Sequence, residues 1–169
     1  MIKNNRKIVL ILDNLRSTYN VGSLFRTAEG LGVLKIYLTG ITPYPEVVND
    51  QRLPHLKNKI TAQIDKTSLG SIGYIKFQYT PNTGQVLTKL RRDGYQIVAL
   101  EQSPRAQLIN DFEVSHNKIA LIVGNELSGI TKNILDKADN IIEIKMLGKK
   151  ESFNVVQAAA MALFYLAFN

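Results

Sequence analysis

The sequence contains no cysteine and only two histidines, His55 and His116. Without thiols there is no disulfide staple, no thiolate zinc site and no cysteine nucleophile, and two lone histidines do not make a histidine-rich metal centre. No metal is expected, and the natural compartment is cytoplasmic. Long apolar runs are also missing. The basic start, "MIKNNRKIVLILDN", holds only Ile8 to Leu12 as an apolar core, too short for a signal peptide, and reads as a first strand. The most apolar segment, "SFNVVQAAAMALFYLAFN", runs at most 16 residues from Phe153 to Phe168 and is broken by Asn154 and Gln157. A bilayer needs roughly 20, so no membrane span is expected. Proline is sparse, but Pro43, Pro45 and Pro54 fall together in residues 39–58, which read as a long surface loop.

What is present is one domain's worth of chain: 169 residues with a formal charge of +7 and a pI near 9.6. That balance favours a polyanionic partner, though a merely soluble basic surface gives the same figure. Short runs rich in β-branched residues recur at Ile8–Leu12, Lys35–Leu38, Tyr74–Tyr79, Gln96–Leu100, Ile119–Val123 and Ile141–Ile144. Between them lie helical stripes, Val21, Leu24, Phe25, Ala28 and Leu31 in one and Val86, Leu87 and Leu90 in another, the second ending at Asp93-Gly94. The alternation predicts an α/β fold: a mostly parallel sheet with helices on both faces. The last helix is apolar nearly all round and must be covered on every side. Either the core covers one side and a second subunit the other, giving a homodimer, or the helix is buried at the centre of the monomer.

Three segments carry the chemistry. In "STYNVGSLFRTAEGLGV", Ser17 to Val33, Asn20 is placed to cap a helix, and Arg26 projects opposite the apolar stripe beside Gly22, Ser23 and Gly30. A solvated arginine explains that geometry; the small neighbours also allow a backbone or ligand to come close. In "LIVGNELSGI", Leu121 to Ile130, a strand stops at Gly124-Asn125-Glu126 and turns through Ser128-Gly129 into a helix. Ligands of open α/β sheets collect at such strand ends. In "IEIKMLGKKESFNVVQAAA" a strand to Ile144 gives way to a loop through Gly148, with Ser152 as the cap of the final helix and Asn154 beside it. Neither loop carries a dinucleotide or nucleoside-triphosphate fingerprint, which disfavours those cofactors.

Together the three segments resemble the SpoU (TrmH-like) branch of the SPOUT superfamily of RNA 2′-O-ribose methyltransferases. The matching residues are Asn20, Gly22, Arg26, Thr27 and Ala28; then Gly124, Glu126 and Gly129; then Ile144, Met146, Gly148, Ser152, Asn154 and Val155. The resemblance implies methyl transfer from S-adenosylmethionine to a ribose hydroxyl and a deep trefoil knot over about residues 119–169. It implies a cofactor held by Leu100, Gly124, Glu126, Ile144, Met146, Leu147, Ser152 and Asn154, with Arg26, Asn20, Glu126, Ser152 and Asn154 at the catalytic centre. It also implies a homodimer in which Arg26 of one subunit serves the cofactor of the other. A guanidinium holds its proton too tightly to serve as a base near neutrality, so an electrostatic clamp on the adjoining phosphate is the favoured role for Arg26. Lys145 stands where the family has proline, Phe153 where it has leucine, Val156-Gln157 where it has a small polar pair, and Ser17-Thr18-Tyr19 where many members have aspartate-proline.

A single methyltransferase domain over residues 1–169, with no separate RNA-binding domain, leaves recognition of RNA to the catalytic dimer. The expected contacts are Arg16, Arg26, Arg52, Lys57, Lys59, Lys66, Lys149 and Lys150, each of which also reads as a solvated surface charge. The resemblance implies a tRNA or rRNA substrate, with tRNA favoured. Two rival readings are an inactive knotted RNA-binding or chaperone protein and a base-nitrogen methyltransferase of the same superfamily.

Overall fold

The computed structural model describes residues 6–169. Seven strands form one sheet: β1 (Lys7–Asp13), β2 (Lys35–Thr39), β3 (Lys76–Thr80), β4 (Gln96–Leu100), β5 (Gln107–Leu108), β6 (Lys118–Val123) and β7 (Asn140–Glu143). Their spatial order is β3-β2-β1-β6-β4-β7-β5, and every pairing is parallel. The central strands are buried on both faces, so they appear in sequence as unbroken apolar runs and not as alternating patterns. Five helices are α1 (Thr18–Gly30), α2 (Pro54–Ser68), α3 (Thr83–Arg92), α4 (Lys132–Leu135) and α5 (Val155–Phe168).

Alternate residues of the strands feed two cores. Ile8, Leu10 and Leu12 pack with Val21, Leu24, Phe25 and Ala28 of α1, Ile64 of α2 and Ala159, Ala162, Leu163 and Leu166 of α5. Val9 and Ile11 pack on the other face with Val86, Leu87 and Leu90 of α3 and Ile134 of α4. The α1 helix ends as the glycines suggest: Gly32, at φ +70°, donates to the Glu29 carbonyl and Val33 to the Ala28 carbonyl, satisfying two otherwise orphan acceptors.

Several expectations need correction. Residues 39–58 are not loop throughout, because Pro54 opens α2. A proline at the first helical position loses no bond, since its N–H would be unpaired there in any case. The strand expected at Tyr74–Tyr79 begins only at Lys76, after a single tight turn at Ser71–Gly73. Asn20 does not cap α1: the Ser17 hydroxyl accepts the Asn20 N–H at 3.2 Å, placing Asn20 in the first turn with its side chain free to reach elsewhere. Likewise Asn154, not Ser152, caps α5, accepting the Val156 N–H at 2.9 Å.

The α5 helix is not enclosed by its own chain. Met161, Phe164 and Phe168 lie exposed along its outer face, so the buried-central-helix alternative does not hold. Among the described residues no helix is long and apolar enough to cross a membrane.

Gly22 admits close approach, but by the protein itself: a Cβ there would collide with the Ile64 carbonyl oxygen and the Thr67 hydroxyl of α2. Gly22→Ala should therefore push α1 and α2 apart and cost about 1–3 kcal/mol, measured as a lowered urea midpoint at unchanged m-value. An unchanged midpoint would show that the two helices slide without cost.

Candidate active site

The carboxyl ends of β4, β6 and β7 and the start of α5 enclose a cleft of about 490 Å³. Leu100, Val123, Gly124 and Ile144 form its strand-end wall, and Ser152, Phe153, Asn154 and Ala158 close the side nearest α5. Of the residues expected to hold a cofactor, Leu100, Gly124, Glu126, Ile144, Ser152 and Asn154 line the cleft. Met146 and Leu147 do not, and Leu147 is 94% exposed. In the loop after Ile144, Leu147 points to solvent, while Met146 is half-buried outside the cleft lining.

The loop after β6 is built around two glycines. Asn125 and Gly129 exchange backbone hydrogen bonds, the Gly129 N–H donating to the Asn125 carbonyl at 2.9 Å. The Asn125 side-chain oxygen accepts from the Leu127 and Ser128 N–H groups at 2.9 and 3.1 Å. A Cβ on Gly124 would lie 2.6 Å from the Gly129 and Ile130 backbone, and Gly129 sits at φ +65° against the Glu101 carboxylate. Larger residues at either position would open the turn. The Asn125 amide also donates to the Asn14 carbonyl at 2.7 Å, tying the loop to the end of β1.

This turn presents Glu126 to the start of α1. Its carboxylate accepts from the Asn20 side-chain amide at 2.9 Å and from the Ser17 and Arg16 backbone N–H groups at 3.2 and 3.1 Å. The Asn20 carbonyl oxygen accepts in turn from the Asn154 amide at 3.5 Å. Burial raises the Glu126 pKa, but Asn20 and the backbone N–H groups of Glu126, Arg16 and Ser17 outweigh it and hold the acid below its ordinary value. Glu126 is therefore a fixed carboxylate that locks the segments at residues 17–20, 124–126 and 154 together, and it is poorly suited to take up a proton near neutrality.

Arg26 stands on the exposed side of α1, makes no hydrogen bond or ion pair among the described residues, and does not line the cleft of its own chain. The exposed side chains of Arg16, Lys59, Lys66, Lys149 and Lys150 are similarly unpaired among the described residues. Two other expected RNA contacts are engaged internally. The Arg52 guanidinium lies 3.7 Å from the Tyr44 ring centroid, which stacks on Tyr79 at 3.9 Å, and it holds Asp50 at 2.5 Å. Arg52 keeps the Asp50 carboxyl well below the usual range. Lys57 pairs with Glu46 at 2.5 Å. Both cations are tied into the segment between β2 and α2 and are less free to meet an RNA phosphate than the unpaired ones.

Sequence reasoning passed over Glu101, Gln102, Asn125, Glu143 and Glu151 on the cleft wall. Their signal was position: Glu101 follows the last residue of β4, and Glu143 is the last residue of β7. The Glu101 carboxylate accepts from the Ile130 and Gln102 N–H groups at 2.7 and 3.0 Å, and the Gln102 amide donates to the Glu151 carbonyl at 2.7 Å. Among the described residues no group of three metal-ligating side chains comes together.

The lowered Glu126 pKa has a stability consequence. Its contribution is complete above the ordinary value of 4.5 and lost as pH falls through the lower folded value. Wild type should therefore exceed Glu126→Gln in unfolding free energy at pH 7, with the difference shrinking below pH 4.5 in urea titrations. A difference constant with pH would mean that the carboxylate's charge adds nothing.

Comparison with known proteins bears on the same three segments. The SpoU rRNA Methylase family model matches residues 7–164. The chain is 28% identical over 159 residues to a tRNA (guanosine(18)-2′-O)-methyltransferase of Borreliella burgdorferi, covering 94% of this chain and 65% of that protein. It spans between 59% and 69% of the curated relatives it matches. An A. aeolicus TrmH/SpoU tRNA modifying enzyme superposes with a TM-score of 0.77 at 25% identity, covering 97% of this chain and 76% of that one. A Sinorhizobium meliloti rRNA methyltransferase solved with AdoMet superposes at 0.79 with 22% identity, over 95% of this chain and 55% of that one, a likeness of fold. The family match, running from β1 into α5 and taking in all three segments, makes this chain a member of the SpoU methylase family.

Proposed function

We propose that the chain is an S-adenosylmethionine-dependent methyltransferase acting on a ribose 2′-hydroxyl of RNA in the cytoplasm, with tRNA the favoured substrate. The observation that carries this reading is the cleft at the strand ends, walled by Gly124, Glu126, Ile144, Ser152 and Asn154 and tied by Glu126 to the helix that bears Arg26. The cleft's size and its lining, which includes carboxylates but no lysine, arginine or histidine, fit a ligand with net positive charge and exclude a polyphosphate. Adenine's edge suits exposed backbone groups such as those after Leu100 and Gly124. The Borreliella relative's name supports ribose over base nitrogen and tRNA over rRNA. The AdoMet bound to the Sinorhizobium protein supports the donor.

Bound S-adenosylmethionine supplies a methyl carbon made electrophilic by its sulfonium. The chain's own residues would hold the ribose oxygen in line with that carbon, and the hydroxyl proton would leave to solvent. The Arg26 guanidinium grips the neighbouring phosphate and steadies negative charge as it develops on the ribose oxygen. Asn20, held by Glu126, and Asn154 and Ser152 at the start of α5 keep the ribose aligned with the donor.

Because Arg26 does not line its own cleft, it serves the cleft of a second copy. The uncovered Met161, Phe164 and Phe168 stripe on α5 supplies an apolar face for that homodimer. The parallel order in which β6 enters between β1 and β4, and β7 between β4 and β5, is compatible with a trefoil knot through residues 119–169. Arg16, Lys59, Lys66, Lys149 and Lys150 are the proposed phosphate contacts.

Incubation of purified protein with total tRNA and S-adenosylmethionine, followed by nucleoside mass spectrometry, should yield a 2′-O-methylnucleoside. Arg26→Lys, which keeps the charge and loses the planar fork, should lower the single-turnover rate about 100-fold or more. A methylated base would favour the base-nitrogen reading. RNA binding without any donor binding would favour a chaperone.

A further inference from the structure

The cleft differs in charge from the chain around it. The protein carries +7 overall, yet Glu101, Glu126, Glu143 and Glu151 line the cleft without any basic side chain among its walls. Two of these carboxylates are already satisfied: Glu126 by Asn20 and the Arg16 and Ser17 N–H groups, Glu101 by the Ile130 and Gln102 N–H groups. Glu151 is exposed at the rim. Glu143 is different. It ends β7, is half-buried and lines the cleft, and its carboxylate has no hydrogen bond or ion pair among the described residues. A carboxylate on a residue of the pocket wall, with no internal partner, is close enough for its charge to act on whatever occupies the pocket.

We infer that Glu143 is the residue by which the cleft distinguishes the cationic methyl donor from its spent form. The inference rests on the donor proposed above. Transfer breaks the C–S bond, its electron pair stays on sulfur, and the sulfonium becomes a neutral thioether. The adenosine, the amino group and the carboxylate are unchanged. Apart from the transferred methyl group itself, charge is what separates S-adenosylmethionine from S-adenosylhomocysteine. For unit charges about 6 Å apart at an effective dielectric of about 40–80, between surface and bulk values, the attraction amounts to about three- to tenfold in affinity. That bias retains the donor, loosens the product once the methyl has left, and repels RNA phosphates from a cleft that the RNA must approach but not fill. The arrangement also divides labour by sign, with phosphate attraction assigned to unpaired surface cations such as Arg16 and Lys149 and donor attraction to the pocket.

Isothermal titration of both ligands into wild type and Glu143→Gln tests this. The substitution is isosteric and removes no internal bond. S-adenosylmethionine should weaken about three- to tenfold in Glu143→Gln while S-adenosylhomocysteine changes less than about twofold, and Glu143→Lys should move the ratio further in the same direction. In wild type, raising the salt concentration should weaken the donor more than the product, a check that needs no variant to fold. Equal weakening of both ligands, which would assign Glu143 to their shared amino group, overturns the inference, as does an unchanged ratio. Failure of wild type to bind either ligand would instead overturn the donor reading itself.

Discussion

Three pieces of chain far apart in sequence meet at one carboxylate. Glu126 sits on a turn that only glycines at 124 and 129 permit, and it collects the Arg16 and Ser17 N–H groups and the Asn20 amide, all from the junction of β1 and α1. Asn20 then reaches Asn154, the cap of α5. Hydrogen bonds to an ionised acceptor are the stronger kind, about 1.5–3 kcal/mol each. Removing that acceptor would leave several polar groups to find new partners together. This latch ties the start of α1, the helix that bears Arg26, to the loop after β6 and, through Asn20, to the start of α5.

Around it the fold separates two electrostatic tasks. The surface presents unpaired lysines and arginines, which suit a phosphate backbone through long-range attraction. The cleft presents carboxylates and backbone, which suit a cationic donor. A nucleotide-binding α/β protein built on a phosphate loop gathers positive charge at its strand ends; here the sign is reversed. The exposed apolar face of α5 and the outward placement of Arg26 are the two features on which the proposed homodimer rests.

Much of the architecture could be read from the sequence because buried parallel strands leave unbroken β-branched runs, as at Ile8–Leu12 and Ile119–Val123. The end of α3 at Asp93-Gly94 was equally plain. The errors arose where two residues of the same chemistry compete. Ser17 and Asn20 are both capping types three positions apart, as are Ser152 and Asn154, and only backbone geometry decides between them. The α2 helix was hidden because it buries little, chiefly Ile64 and Ser68, and its opening Pro54 resembled a loop signal. Of the cleft residues, most within the three motifs were legible, while Glu101 and Glu143 belong to no motif and were not singled out. That Met146 and Leu147 fall outside the cleft lining follows from loop conformation, which has no periodicity to read.

The central claim is that Glu126 works as a fixed anion that orders the site and not as the base that accepts the ribose proton. The pH dependence of single-turnover methyl transfer, compared between wild type and Glu126→Gln, tests it most directly. The expected result is a lower rate for the variant with the same pH profile as wild type between pH 5 and 9. A wild-type profile that rises through an ionisation in that range and flattens in Glu126→Gln would contradict the claim and make Glu126 the base.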